Sequence, residues 1–435
     1  MEMTKRKVAF HTLGCKLNFA ETSTISRSFP DDKYEKVKPG VKADIYVINT
    51  CSVTDTADRK CRQAIKKFIN QSPGALIAVV GCYAQLNPKE LSSIPGVDLV
   101  LGTNEKFDVE NYLRNRNKDN PAEIYSCDLS GSGSFFPSYS VGDRTRSFLK
   151  VQDGCDYECS YCTIPAARGK SRNPDIKEII AEAEKIASRG IKEIVLTGVN
   201  IGDFGKSNGE SFVSLIRGLI KVEGIKRYRI SSIEPNLLTD ELIELTSESG
   251  KILPHFHIPL QSGSDRILGL MRRRYRRSLF EEKISKIRKA IPLAGIGADV
   301  IVGFPGESDQ DFKDTFGFLR QIPVSYLHVF NFSERPGTRA SAMNGKVQFP
   351  ERHERSRILS LLSEEKHLEF CRQNIGMANE VLFEHSRSEG MITGFTGNYL
   401  RVEYPWKFTF AGNVKKVLLT GISDSGRMNI KLLNE

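Results

Sequence analysis

Short apolar runs separated by amphipathic patterns recur along the first hundred residues of the chain. Runs this short and this rich in β-branched residues are typical of buried strands. The predicted strands cover 8–13, 44–50, 75–80 and 98–101, and the predicted helices include 18–28 and 55–70. Strands that alternate with helices favour an α/β fold with a parallel, doubly wound sheet, which we place at residues 1–116.

Each of the first three runs leads directly to a cysteine, at Cys15, Cys51 and Cys82. Doubly wound sheets bind ligands beyond the carboxyl ends of their strands, so these distant thiols should meet at one edge. Three thiolates at one place indicate a 4Fe-4S cluster with one iron left open. The alternative is three unrelated buried thiols. Three other cysteines lack this placement and are interpreted as structural or incidental: Cys61, Cys127 and Cys371.

The pattern becomes regular after residue 141. The predicted strands are 148–152, 193–197, 227–231, 255–259, 298–303 and 326–330. Helical patterns fill the gaps, for example at 175–188, 211–222, 279–291 and 309–321. Six β/α units predict a partial (β/α)6 barrel at 141–376, with its chemistry at the carboxyl ends of the strands.

Two further segments complete the predicted organisation. Residues 117–140 contain a Ser-Gly-Ser-Gly-Ser hinge at 130–134 and are predicted to be a flexible linker. After a long helix at 350–373, five short runs are split by Gly, Asn and Ser, at 380–383, 391–395, 399–402, 414–419 and 428–432. They predict a small β-barrel at 377–435.

The highest density of candidate metal ligands lies in the loop after the first barrel strand. There, Cys155, Cys159 and Cys162 follow one another at C-x-x-x-C-x-x-C spacing. Three thiolates on one tight loop hold three corners of a 4Fe-4S cube and leave the fourth iron open to a small molecule. A zinc site would need a fourth Cys or His, which neither the loop nor the residues just after it supply. Thiols crowded this closely do not all pair as disulfides without strain.

Charge and composition indicate which class of partner the protein binds. The 435 residues carry a formal net charge of +10, which suits a partner rich in phosphate. The densest basic run is predicted to contact RNA phosphates and to stack on a base, with a solvated charged face as the alternative. This run consists of Arg272, Arg273, Arg274, Tyr275 and Arg276.

The chain shows no secretory signal and no apolar stretch of the ~20 residues that span a bilayer, so no membrane contact is expected. Nine cysteines are too few for a disulfide scaffold in a chain this long. Thiolate ligation of a metal indicates a reducing compartment, so we expect a cytoplasmic protein.

The cysteine loop resembles the signature of the radical S-adenosylmethionine (SAM) superfamily. The resemblance implies that the open iron binds SAM and cleaves it to a 5′-deoxyadenosyl radical. It also implies that residues in the loop and at later strand ends contact SAM, namely Tyr161, Gly198, Asn200, Ser232, Glu234, Gln261, Val302 and Phe304. His255 and His257 alternate on one strand and are interpreted as hydrogen-bonded core residues.

The blocks TLGCKLN, NTCSVT and GCYAQ around the first three cysteines resemble the methylthiotransferase family. The resemblance implies a second 4Fe-4S cluster on Cys15, Cys51 and Cys82, two SAM molecules per turnover and a C-terminal RNA-binding TRAM domain. It implies methylthiolation at C2 of adenosine 37 in the anticodon loop of tRNA, with an electron donor and a sulfur source as further partners. The motifs are most similar to members that act on N6-threonylcarbamoyladenosine. Isopentenyladenosine 37, or an aspartate of a ribosomal protein, remains the alternative substrate.

Two rival interpretations belong to other classes. The first domain could hold a purely structural cluster beside a radical SAM enzyme, or the protein could be an iron–sulfur sensor or RNA-binding protein without turnover. Formation of 5′-deoxyadenosine separates enzyme from sensor, and analysis of tRNA nucleosides separates the two enzymes. The methylthiotransferase interpretation further requires both cysteine triads to face one gap.

Overall fold

The computed structural model describes residues 5–129, 134–142, 144–388 and 390–433. Of the hinge predicted at 130–134, only Ser134 belongs to these described residues. Within them, the chain forms a parallel α/β domain, a β/α barrel and a small β-barrel, in the order that the sequence predicts.

The first domain is a six-stranded parallel sheet in the order β2-β1-β3-β4-β5-β6. Its strands are β1 (Arg6–Thr12), β2 (Tyr34–Val37), β3 (Ile45–Thr50), β4 (Leu76–Gly81), β5 (Leu99–Leu101) and β6 (Glu123–Tyr125). Its helices are α1 (Lys16–Arg27), α2 (Asp55–Gln71), α3 (Cys82–Leu86), α4 (Pro88–Ser92) and α5 (Val109–Arg114). The predicted doubly wound sheet is confirmed, and β6 draws part of the predicted linker into it.

Local sequence signals explain the helix that follows β3. The side chain of Thr54 accepts a hydrogen bond from the backbone N–H of Ala57 and caps α2, and Asp55 and Asp58 lie in its first turn. The helix buries Ile65 and Phe68 against one face of the sheet. A second apolar cluster covers the other face, so the sheet is packed on both sides.

The barrel consists of two three-stranded parallel sheets, β7-β8-β9 and β10-β11-β12. Its strands are β7 (Ser147–Lys150), β8 (Glu193–Thr197), β9 (Arg227–Ile230), β10 (His255–His257), β11 (Gly295–Val302) and β12 (Tyr326–Asn331). Its helices are α6 (Ile164–Arg168), α7 (Ile176–Ala187), α8 (Phe212–Leu219), α9 (Asp240–Glu248), α10 (Asp265–Leu270), α11 (Arg277–Ala290), α12 (Asp309–Gln321) and α13 (Phe349–Gln373). Backbone hydrogen bonds join the two sheets, including one from Ile233 N–H to His257 O at 3.0 Å. The predicted six-unit partial barrel is confirmed.

The chain ends in a closed five-stranded barrel in the order β13-β14-β15-β17-β16. Its strands are β13 (Ala378–Ser388), β14 (Met391–Thr396), β15 (Arg401–Pro405), β16 (Val414–Ile422) and β17 (Met428–Leu432). Arg227 and Arg229 of β9 both donate to the backbone oxygen of Thr396 and thereby attach this barrel to the β/α barrel. None of the helices that the structure describes is long and apolar enough to cross a membrane.

Candidate active site

The loop after β7 brings Cys155, Cys159 and Cys162 together at the carboxyl edge of the barrel. Backbone N–H groups two residues further along donate to Sγ of Cys155 and to Sγ of Cys162, each over 3.4 Å. A guanidinium nitrogen of Arg273 donates to Sγ of Cys159 over 3.1 Å. Hydrogen bonds to sulfur stabilise thiolates and tune clusters, so this arrangement fits the ligands of a 4Fe-4S cluster.

Cys15, Cys51 and Cys82 converge where β1, β3 and β4 end. Gly14 and Gly81 shape two of these turns, with φ of 103° and 99°. A Cβ on Gly14 would lie 2.6 Å from Cβ of Cys51, and a Cβ on Gly81 would lie 2.8 Å from the last backbone oxygen of β3. Glycine is therefore required at both turns, and the tight turns hold the three thiols close together.

The short helix α6 connects the two triads. Thr163, which follows the last cysteine of the loop, donates its hydroxyl to the backbone oxygen of Ser52 over 3.4 Å. Ser52 itself follows the second cysteine of the first domain. At the other end of α6, Nε of Arg168 donates to Sγ of Cys82 over 3.2 Å. The two ends of α6 thus contact the residues around Cys51 and Cys82, so both triads lie along the interface of the first domain and the barrel.

A buried network of charges lies beneath this interface, and its members are Glu21, Lys106, Lys150, Asp153 and Arg168. Arg168 donates to both carboxylates over 3.0 Å, while Lys106 pairs with Glu21 at 2.6 Å and Lys150 with Asp153 at 2.7 Å. Burial alone would raise the pKa of Glu21, but the charges of Arg168 and Lys106 lower it well below its ordinary value. Three cations against two carboxylates leave an excess positive charge, which suits an anionic cluster on the sulfur of Cys82.

Gln152 ties the cysteine loop to the end of β8. Its amide nitrogen donates to the backbone oxygen of Gly154 over 2.8 Å, and its amide oxygen accepts from the N–H groups of Val199 and Asn200 over 3.0 and 2.8 Å. The close approach requires Gly198, where a Cβ would lie 2.9 Å from the Gln152 carbonyl oxygen. Oδ1 of Asn200 is buried and has no hydrogen-bond partner among the described residues. This acceptor beside the loop fits the ammonium group of SAM.

Arg273 connects the loop to two other predicted SAM contacts. Its guanidinium forms an ion pair with Glu234 and lies 3.4 Å from the hydroxyl oxygen of Tyr161. Phe304 packs edge-to-face on Tyr161 with ring centroids 6.4 Å apart, and Val302 is fully buried at the end of β11. The side chains of Val302 and Phe304 are fully buried, so their contact with SAM stays a prediction.

The last two predicted SAM contacts have weaker support from their surroundings. Gln261 adopts a left-handed backbone with φ of 69°, and its N–H donates to the backbone oxygen of Asp299 over 2.8 Å. Ser232 is half-buried, and no described group lies within hydrogen-bond distance of its hydroxyl. Their contact with SAM stays a prediction.

The basic run has a different environment at each position. The side chain of Arg273 is 4% exposed, and the buried Tyr275 donates its hydroxyl to a backbone oxygen over 2.6 Å. Arg274 lies over the ring of Tyr157 in the cysteine loop, 4.0 Å from its centroid. Arg272 forms an ion pair with Glu158 of the same loop at 3.0 Å. Arg276 donates to a backbone oxygen of α10. The run therefore supports the cysteine loop, Arg273 and Tyr275 face inwards, and the predicted RNA contact stays untested.

Both histidines of β10 are hydrogen-bonded, in agreement with their interpretation as core residues. Nε2 of His255 lies 2.8 Å from the Tyr326 hydroxyl, and Nε2 of His257 lies 2.8 Å from Oδ1 of Asp299. Nδ1 of His328 lies 3.2 Å from the same oxygen. This cluster joins three neighbouring strands, which single-strand patterns do not reveal.

Lys16, the first residue of α1, lies among charges from the first domain and the β/α barrel. Burial and the charges of Arg146 and Arg229 lower its pKa to about 8, while Cys15 and Asp299 act in the opposite direction. Within the described part of the chain, no acceptor lies within hydrogen-bond distance of its ammonium group. The cation next to Cys15 thus lacks a direct counter-ion.

Burial raises the pKa of several thiols in the two triads. The pKa of Cys51 is raised to about 12, mainly by burial and to a smaller extent by the neighbouring sulfurs. Burial likewise raises the pKa of Cys155 to about 12 and that of Cys162 to about 11. Such thiols are neutral until a metal displaces their protons. Cys61 instead donates its S–H to the backbone oxygen of Cys51 over 3.5 Å, which fits its structural interpretation.

Two family profiles match the chain. The radical SAM superfamily matches residues 149–319, which include the cysteine loop and most of the barrel. A family described as "Uncharacterized protein family UPF0004" matches residues 7–102, which include the other three cysteines. The fold and the site thus define a radical SAM protein with an additional N-terminal domain.

Relatives over nearly the full length are tRNA methylthiotransferases. The threonylcarbamoyladenosine tRNA methylthiotransferase MtaB of Bacillus subtilis is 41% identical over 420 residues, which cover 94% of this chain and 93% of that protein. MtaB of Aquifex aeolicus is 43% identical, with 85% and 91% covered. The tRNA-2-methylthio-N(6)-dimethylallyladenosine synthase of Syntrophus aciditrophicus is 34% identical, with 96% and 93% covered. The chain belongs to this radical SAM tRNA methylthiotransferase family.

Solved structures support the fold. The radical SAM methyltransferase TsrM from Kitasatospora setae, with cobalamin and a 4Fe-4S cluster bound, aligns with a TM-score of 0.54 at 13% identity. The alignment covers 90% of this chain and 81% of TsrM. At this identity the similarity concerns the architecture alone.

Proposed function

We propose that this protein is an enzyme that inserts a methylthio group at C2 of N6-threonylcarbamoyladenosine 37 in tRNA. Radical SAM enzymes use a 4Fe-4S cluster and SAM. Because this chain belongs to that family, a 4Fe-4S cluster and SAM are its cofactors. Methylthiolation of N6-isopentenyladenosine 37 is the second candidate, since relatives named for that type of substrate align over most of the chain. An electron donor and a sulfur source are proposed as further partners.

The observation that carries the proposal is the α6 bridge between two cysteine triads. Thr163 and Arg168 tie the barrel loop to the residues around Cys51 and Cys82, so two metal sites would share one interface. We assign one 4Fe-4S cluster to Cys155, Cys159 and Cys162 and a second to the triad of the first domain. A purely structural cluster would need no such proximity to the radical site.

When bound, the barrel cluster supplies the electron that cleaves SAM to a 5′-deoxyadenosyl radical. The protein binds and orients the reactants around that step. Oδ1 of Asn200 would accept a hydrogen bond from the ammonium group of SAM, and the segment from Val302 to Phe304 at the end of β11 is assigned to adenine. Arg273 holds Glu234 and the sulfur of Cys159 in a fixed relation. The target base lies between the two triads, where water would otherwise quench a radical.

Lys16 favours the threonylcarbamoyl substrate over the isopentenyl one. The threonylcarbamoyl group ends in a carboxylate, whereas the isopentenyl group is apolar. The ammonium group of Lys16 is half-buried, lies next to Cys15 and has no direct counter-ion among the described residues. It would gain a charge-assisted hydrogen bond from the threonylcarbamoyl carboxylate but not from the isopentenyl group. Lys16 is therefore assigned to the substrate carboxylate.

Reconstitution tests the proposal directly. The purified protein, loaded with iron and sulfide, is incubated with SAM, dithionite and tRNA that carries either modified adenosine. Mass spectrometry of the nucleosides should detect a methylthio product from the threonylcarbamoyl tRNA together with 5′-deoxyadenosine. Product from the isopentenyl tRNA alone would select the second candidate. Formation of 5′-deoxyadenosine without any methylthio product would refute both.

A further inference from the structure

A basic groove lies where the first domain, the start of the β/α barrel and the small β-barrel meet. Its cavity volume is about 940 Å³. Among the residues that the structure describes, its lining includes five cationic side chains and the carboxylate of Glu384. The cations are Arg27, Lys36, Lys38, Arg144 and Arg146. We propose that this groove binds the phosphate backbone of the tRNA anticodon arm, an inference that rests on the proposed function.

The cations differ in how far their charge is already neutralised. Lys36 pairs with a carboxylate at 2.8 Å, and Arg146 lies 3.6 Å from Glu384. Lys38 and Arg144 are exposed, and no carboxylate of the described residues lies within ion-pair distance of either. Arg144 packs over the ring of Phe19 at 4.2 Å, which holds its guanidinium against the groove wall. Lys38 and Arg144 are therefore the phosphate contacts that the groove offers most directly.

The groove leads to the cysteines of the first domain. Thr12 ends β1 and lines the groove, and Cys15 follows three residues later. Phe19 lines it from α1, the helix that begins directly after Cys15. Arg146 lines it as well and is among the charges closest to Lys16. A backbone bound in the groove would therefore present a neighbouring base to the gap between the triads.

The small β-barrel takes part in the groove through His385. Its backbone N–H donates to Oγ1 of Thr145 over 2.9 Å. Nδ1 of His385 lies 3.0 Å from the same hydroxyl. These contacts hold the β-barrel beside Arg144 and Arg146, so the position of the C-terminal barrel determines the shape of the groove.

The test compares two double variants that change the net charge equally. Lys38→Glu/Arg144→Glu alters the groove, whereas Lys42→Glu/Lys89→Glu alters exposed lysines of the first domain outside the groove lining. Affinity for threonylcarbamoyl tRNA is measured at several salt concentrations, and thermal unfolding verifies that each variant folds. We expect the groove variant to bind about tenfold or more weakly, with its salt slope reduced by about one for each lost phosphate contact.

Equal affinity and equal salt slope in the two double variants would overturn the groove assignment. If the groove variant does not fold, Lys38→Gln alone should still reduce the salt slope by about one, and an unchanged slope would overturn the assignment as well. Failure of the groove assignment is distinguishable from failure of the proposed function. If the wild-type protein forms the methylthio product while the groove variants bind tRNA normally, the enzyme acts on tRNA that it binds at another surface.

Discussion

At Arg168, one guanidinium satisfies two buried carboxylates and a thiol sulfur. Loss of one partner of a buried charge pair leaves the others uncompensated and typically costs about 3–5 kcal/mol. We expect Arg168→Gln to lower the free energy of unfolding by about this amount in a denaturant titration. Arg217→Gln, which removes an exposed ion pair with Glu241, should cost about 0–1 kcal/mol. Equal losses in the two variants would contradict the buried network.

At Lys16, the prediction concerns substrate choice. Synthetic anticodon stem–loops can carry threonylcarbamoyladenosine either as the free acid or as its methyl ester. We expect the wild-type kcat/KM to be about tenfold or more higher for the acid, because an ammonium–carboxylate hydrogen bond is lost in the ester. Lys16→Gln should remove this preference, and Lys16→Arg should retain most of it. An equal rate on acid and ester by the wild-type protein would contradict the role of Lys16.

Which residues of the site are predictable from sequence depends on the distance to their partners along the chain. Cys155, Cys159 and Cys162 form a local loop, so their spacing reveals the chemistry. Arg168 and Glu21 are 147 residues apart, and nothing in either segment marks them as partners. The environment of Tyr275 was equally hidden, since a basic run looks alike whether its aromatic residue is exposed or buried.

At the scale of elements, the turn between β4 and α3 positions Cys82. Gly81 has φ of 99°, and a Cβ there would lie 2.8 Å from a backbone oxygen of β3. We expect Gly81→Ala to displace Cys82 and to reduce the iron content from about eight to about four atoms per chain, as one 4Fe-4S cluster is lost. Gly74→Ala, where a Cβ meets nothing within 4 Å, serves as the control. Full iron content in Gly81→Ala would refute this account of the turn.

The strands were largely predictable, and the two strands that the sequence analysis missed share a cause. β3 and β4 are buried along their whole length and show as apolar runs in the sequence. β2 and β6 lie at the edges of the sheet, are three or four residues long and are partly exposed. Such strands form because a neighbouring strand offers hydrogen bonds, and their own sequence does not show this.

At the scale of the whole molecule, Glu193 stabilises the attachment of the small β-barrel. Burial alone would raise the pKa of Glu193, but Arg229 and Arg227 lower it below its ordinary value. A carboxyl with a lowered pKa contributes stability above its unfolded pKa of about 4.3, and this contribution is lost as the pH falls towards the folded value. We expect the free energy of unfolding to fall more steeply below about pH 5 in the wild-type protein than in Glu193→Gln. Parallel pH profiles would contradict this assignment.

The account depends on two metal sites that lie side by side across one interface. Electron paramagnetic resonance of the reconstituted, reduced protein measures this directly, because two nearby paramagnetic clusters split or broaden each other's signals. Variants that lack the cysteines of one triad supply the spectra of the single clusters. We predict a wild-type spectrum with spin–spin coupling that neither variant shows. A wild-type spectrum equal to the sum of the two variant spectra would contradict the central claim.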